Sequence, residues 1–153
     1  MAGTYTQLYI QFVFAVKFRA ALIHNTWEDQ LYKYITGIVQ KRGHKMLQIN
    51  GMPDHIHLLV GFNPKESISN LIQKIKSNSS LWVNKSRLCN SRFQWQEGYG
   101  AFSHSKDSLP NVIRYIENQK SHHKKMSMRE EYQLLLKKYG IEYDERYVFN
   151  DPE

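Results

Sequence analysis

Asp54-His55-Ile56-His57-Leu58-Leu59-Val60 is the stretch from which the fold is read. In an extended chain successive side chains point to opposite faces. Ile56, Leu58 and Val60 can therefore enter a core while His55 and His57 project together from the other side. An apolar triplet at period two predicts a strand from about His55 to Gly61. Just upstream, Gly51-Met52-Pro53-Asp54 has the composition of a turn or bulge, and Lys45–Asn50 before it is a second short strand.

Working outward, the opening segment Tyr5–Val16 places Leu8, Ile10, Phe12, Phe14 and Val16 on one face at period two, with Lys17 and Arg19 at its end. A helix is expected from about Thr26 to Arg42, with Thr26 as N-cap, Glu28 and Asp29 in the first turn and Gly43 past the end. Downstream, Ser67–Lys85 reads as a basic helix: Ile68, Leu71, Ile72, Ile75 and Trp82 form its buried stripe, and Lys74, Lys76 and Lys85 its wet side. Phe93–Ser103 reads as an aromatic strand. A helix from about Ser108 to Lys120 follows, with Pro110 in its first turn. The last helix starts at the capping box Ser127 and Glu130, carries Tyr132, Leu135, Leu136 and Tyr139, and stops at Gly140. Strand, helix, strand, strand, helix, strand, helix, helix closes most naturally as an α+β, ferredoxin-like antiparallel sheet with helices packed on one face.

The chain has 153 residues, enough for one domain (residues 1–153) with a real core. Hydrophobic residues make up 41% and charged residues 23%, an ordinary globular composition. The formal net charge of +7 favours a polyanionic partner without saying which one. The single cysteine, Cys89, excludes an intrachain disulfide and a multi-cysteine zinc site, which fits a cytoplasmic setting. The run Leu8–Val16 lacks a basic leader and is interrupted by polar residues, so it is not read as a signal peptide. No stretch approaches the roughly 20 apolar residues that cross a membrane.

Two features could carry chemistry. One is the His55–His57 pair, whose spacing suits two ligands on one ion. A solvated polar face is the bland alternative. The other is Tyr115-Ile116-Glu117-Asn118-Gln119, in which Tyr115 and Gln119 share a helix face four residues apart. A helical tyrosine taken alone is more often a packing residue. Together they describe a phosphoryl-transfer site. A divalent ion held by His55, His57 and the amide oxygen of Gln119 would polarise a phosphodiester, and the Tyr115 oxygen would attack it. Two nitrogens with oxygens suit Mg²⁺ or Mn²⁺ better than zinc. Lys17, Arg19, Lys74, Lys76, Arg114, Lys120, Lys124 and Lys125 are candidate phosphate contacts.

These residues carry a resemblance. Pro53 to Val60 resembles the His-hydrophobic-His strand of the single-tyrosine (HUH) transposases of the insertion-sequence 200/605 superfamily. Trp95 to Ser103 is similar to the strand before their catalytic helix, and Tyr115 to Gln119 to their nucleophile helix. The likeness runs from about residue 5 to 148, in the same order. It implies a ferredoxin-like fold, Tyr115 as nucleophile, and His55, His57 and Gln119 as ligands of Mg²⁺ or Mn²⁺. It also implies single-stranded DNA with hairpins at element ends as substrate, a 5′-phosphotyrosine intermediate, and a homodimer whose site is shared between subunits. The short tail points to the insertion-sequence branch rather than to domesticated relatives that act on repeated palindromes. A non-catalytic nucleic-acid-binding module, with Phe93–Phe102 as a stacking platform, stands as the alternative from another class.

Overall fold

The computed structural model describes residues 3–122 and 126–143. Four strands, β1 (Tyr9–Ala15), β2 (Lys45–Met52), β3 (His55–Gly61) and β4 (Gly100–His104), form one antiparallel sheet in the order β2-β3-β1-β4. With helices α1 (Glu28–Lys41) and α2 (Ile68–Lys85) as the crossovers, this is the expected ferredoxin-like arrangement. β1 and β3 are the central strands, so both are buried along almost their whole length.

The alternation along those strands divides the molecule. Phe12, Phe14, Ile56, Leu58 and Val60 face one way, into a core closed by Leu31, Ile35 and Val39 of α1 and Leu71, Ile72 and Ile75 of α2. The other face is covered as well, which the one-sided expectation missed. Val13, Ala15 and Phe102 meet Met128, Leu135 and Leu136 of α5 (Met128–Lys138), and Leu59 meets Val112 and Ile116 of α3 (Leu109–Glu117). Val13, Ala15 and Leu59 are apolar on what would otherwise be a wet face, and apolar area of that extent is buried, not solvated.

Several boundaries differ from the sequence reading. α1 starts at Glu28, because the Thr26 hydroxyl bonds to His24 Nδ1 at 2.9 Å and does not cap the helix. β2 runs on to Met52: Gly51 lets the chain pass so close to β3 that a Cβ there would lie 2.3 Å from the His55 carbonyl. β4 begins only at Gly100. Phe93 and Trp95 are buried in irregular chain, and Val16 pairs with Trp95 as an isolated bridge. The expected helix Ser108–Lys120 is broken at Asn118, whose φ of −92° and ψ of 16° leave the helical region. α3 ends at Glu117 and the short α4 (Gln119–His122) follows. The cap of α5 is as read, with Ser127 accepting from the Glu130 amide; at the start of α2, Ser67 accepts from the Asn70 amide.

Candidate active site

β3 presents His55 and His57 on one face, both fully buried, with ring centroids 5.2 Å apart. Asp54 accepts a hydrogen bond from His55 Nδ1 at 2.7 Å, which fixes the ring and aims Nε2 inward. Burial alone would lower the His55 pKa. The carboxylates of Asp54 and Glu131 overcome that and raise it to about 9. His57 Nδ1 lies 3.3 Å from the Nε2 of Gln11, a buried glutamine on β1 whose Oε1 accepts from His104 Nε2 at 2.9 Å.

The second wall comes from α3 and α4. Leu59, Val112 and Ile116 dock α3 on the sheet, and its end is pinned from β2. The Asn50 amide donates to the carbonyls of Ile116 (3.1 Å) and Glu117 (3.0 Å), supplying partners that a broken helix end lacks. Gln48 donates to Glu117, and Lys120 donates to the Gly51 carbonyl at 2.9 Å and pairs with Glu28. The break at Asn118 means that Tyr115 and Gln119 do not sit on one continuous helix, contrary to the spacing argument. They still converge on the same point.

That point is Glu131, which the sequence reading missed. It is buried on α5, and its two oxygens face different groups. Oε1 lies 3.0 Å from His57 Nε2 and 3.2 Å from His55 Nε2. Oε2 accepts from the Tyr115 hydroxyl and, at 2.9 Å, from Gln119 Nε2. Gln119 turns its own Oε1 to within 3.3 Å of His55 Nε2. Burial and the Glu131 carboxylate push the Tyr115 pKa well above its ordinary value. A signal for Glu131 did exist. Met128, Glu131 and Leu135 fall at helical spacing on one stripe, and an acid on a buried stripe needs a partner.

His55, His57 and Glu131 form the one group among the described residues whose imidazole nitrogens and carboxylate could jointly hold a metal ion. The geometry fits. Oxygen ligands about 2.1 Å from Mg²⁺ in octahedral array lie roughly 3 Å from one another. The donor atoms of His55, His57, Glu131 and Gln119 are separated by 3.0, 3.2 and 3.3 Å. Two nitrogens and two oxygens make a donor set for a divalent ion.

The expected phosphate contacts scatter. Arg114 on α3 and Lys74 on α2 are exposed, but α2 packs on the sheet face away from the histidines. Lys76 donates to the carbonyls of Gln96 and Gly98, and burial lowers its pKa to about 8. Lys120 is spent on β2. Lys17 stands over the Phe18 ring, and Arg19 lines a recess beside the site. Lys124 and Lys125 lie outside the described residues. A site shared between subunits is not needed to complete this arrangement, because one chain brings all five groups together. No helix among the described residues is long and apolar enough to cross a membrane.

Comparison with known proteins bears on the family and the fold. The profile of the family described as "Transposase IS200 like" matches residues 4–119. The ISDra2 transposase TnpA of Deinococcus radiodurans is 25% identical over 123 residues, covering 76% of this chain and 87% of that protein. A crystal structure of a transposase from Deinococcus radiodurans superposes with a TM-score of 0.62 at 22% identity, covering 78% of this chain and 95% of the other. A REP-associated tyrosine transposase bound to a REP hairpin superposes with a TM-score of 0.61 at 14% identity, covering 80% and 73%.

Proposed function

The chain belongs to the IS200-like transposase family, and on that premise we propose that it cuts and rejoins single-stranded DNA at insertion-sequence ends through Tyr115. The 153 residues act as one catalytic unit, with His55, His57, Gln119 and Glu131 as its metal ligands. The observation that carries this is the convergence of two imidazoles, an amide, a carboxylate and a phenol in one buried cluster. A nucleic-acid-binding module has no use for it, and burial of so many polar groups costs stability that only mutual pairing offsets.

The ion, Mg²⁺ or Mn²⁺, would neutralise charge on the scissile phosphate and on the departing oxygen. The rest falls to the protein. Tyr115 presents its oxygen to the phosphorus, and Glu131 Oε2, already its hydrogen-bond acceptor, takes the phenolic proton. The new bond joins Tyr115 to the 5′-phosphate, and the bond to the 3′-oxygen breaks. That oxygen takes up a proton and leaves as a hydroxyl. The phosphotyrosine conserves the bond energy, so a 3′-hydroxyl attacking in reverse restores Tyr115 and rejoins the strand. Asp54 holds His55 in the tautomer whose Nε2 would serve as a ligand of the ion. Hairpin-bearing strands are the expected substrate, because in-line attack needs an accessible backbone.

The test is a denaturing gel. Hairpin-bearing single strands incubated with the protein and Mg²⁺ or Mn²⁺ should yield a covalent protein–DNA adduct. It should vanish with chelation and in Tyr115→Phe. Binding of such strands with no adduct on any of them would defeat this reading in favour of a non-catalytic module.

A further inference from the structure

A pocket of about 400 Å³ opens on the histidine face of the sheet, next to the nucleophile. Gln11 of β1 and His104 of β4, bonded to each other at 2.9 Å, line its inner end, and the Tyr115 ring closes one side. Gln11 is two residues along β1 from Val13, the residue that pairs with His57. Directly opposed residues of an antiparallel pair point to the same face, so the pocket and the metal ligands share one face. Two residues of strand span about 7 Å. Neighbouring phosphates of an extended DNA strand are separated by a comparable step.

The lining suits an anion better than a base. Val112, Leu135 and the Tyr139 ring supply the apolar part. Phe102 stacks on that ring at 4.8 Å, and Lys138 Nζ stands 5.5 Å from its centroid, so Tyr139 offers no platform for a base. The rim is polar, and no carboxylate lines the pocket among the described residues. Ser105 and Ser108, with hydroxyls 3.0 Å apart, stand beside Asn111 at the start of α3, and Lys138 faces them from the last turn of α5. Among the described residues the exposed Asn111 amide has no hydrogen-bond partner, and the exposed Lys138 ammonium touches only the Tyr139 ring. The Lys138 charge is felt inside: after burial, it is the cause that lowers the His104 pKa. An ammonium, an amide and two hydroxyls around a space with no carboxylate are donors for a phosphate, and the start of α3 adds partial positive charge.

We propose that this pocket seats the phosphate next to the scissile one, with Lys138 and Asn111 as its contacts. The inference rests on the reaction proposed above and adds two substrate-positioning residues to it. Tyr115 then lies between two neighbouring phosphates, one in the pocket and one at the metal ligands. A strand gripped on the pocket side cannot slide past the Tyr115 oxygen. The grip therefore fixes which linkage is presented for in-line attack, a requirement in which small misplacements cost much of the rate.

The test replaces single phosphates of a hairpin-bearing strand by methylphosphonate, which keeps the shape and removes the charge. Adduct formation with Mg²⁺ is timed on the denaturing gel for wild type, Lys138→Met, Asn111→Leu and Lys137→Met, all with melting temperatures near that of wild type. Lys137→Met is a matched loss of charge outside the pocket. Neutralising one linkage that adjoins the cut should slow the wild type about fivefold, the order of a charge-assisted contact that is partly exposed. Lys138→Met should be slowed as much on the unmodified strand and lose nothing more at that linkage. Asn111→Leu should blunt the response at the same linkage and at no other, whereas Lys137→Met should keep the full response. Indifference of the wild type at both adjoining linkages overturns the proposal, as does an undiminished response in Lys138→Met. The same strands bound to Tyr115→Phe, followed by fluorescence anisotropy, separate the pocket from the reaction. Coupling of Lys138 to one linkage with no adduct on any strand would keep the pocket and defeat the reaction. Adduct without that coupling would do the reverse.

Discussion

Glu131 Oε1 faces two imidazoles, and its Oε2 faces the phenol and the amide of Gln119. Glu131→Gln keeps the shape and removes the charge. Mn²⁺ affinity, measured by isothermal titration calorimetry, should fall at least about tenfold, since even residues outside the first ring of ligands contribute ten- to a hundredfold. Unchanged affinity would remove Glu131 from the ligand set. Gln11 sets up a sharper contrast. With its Nε2 toward His57 Nδ1, the imidazole carries its proton on Nε2, directed at Glu131. Ligation through Nε2 requires that proton on Nδ1, so the Gln11 amide must turn over and accept from it. Gln11→Glu, a permanent acceptor, should therefore tighten Mn²⁺ binding, and Gln11→Leu should weaken it. A residue that only packs would weaken binding in both variants.

Among elements, the junction of α1, β2 and α2 is held by one carboxylate. Glu66, just before α2, accepts from Arg42 at 2.7 Å and lies 2.7 Å from the buried His44 imidazole on the chain leading into β2. Asn70 donates to it from the first turn of α2 at 2.8 Å. The Arg42 guanidinium foremost, then His44 and Asn70, hold the Glu66 carboxyl down at about 2, against an ordinary value of 4.5. A lowered folded value means that the stabilisation is complete above about pH 4.5 and is lost as pH falls toward 2. The melting temperature of the wild type should thus fall more steeply over that window than that of Glu66→Gln. Parallel melting profiles would show that the cluster does not link these elements energetically. At the other end of the sheet, Asn50 performs a comparable joining role for the broken helix carrying Tyr115.

For the whole molecule the question is which chain supplies the nucleophile. The resemblance implied a site shared between subunits. The contacts from Gln48, Asn50 and Lys120, together with the Leu59–Val112–Ile116 cluster, seat the tyrosine helix on the sheet of its own chain. We therefore expect each chain to close its own site. Mixing Tyr115→Phe with His57→Ala protein should then restore no adduct on the denaturing gel. Recovery of adduct in verified heterodimers would establish a shared site.

Period-two alternation in His55–Val60 and Tyr9–Ala15 determined the central strands and the common face of the two histidines, because pleat geometry leaves a side chain only two directions. Order and spacing determined the ferredoxin-like closure and the cap at Ser127. Where the helix breaks, and what fills the centre of the site, only the tertiary structure decided. The break at Asn118 depends on Asn50, more than sixty positions away in the chain. Glu131 reaches the two imidazoles only because α5 lies across the histidine face of the sheet, and local periodicity carries no information about which distant surface a helix will cover. Likewise, Val13, Arg19 and Tyr132 acquire a common recess only through packing. A recess is defined by the distances between segments, and a one-dimensional pattern does not contain those distances.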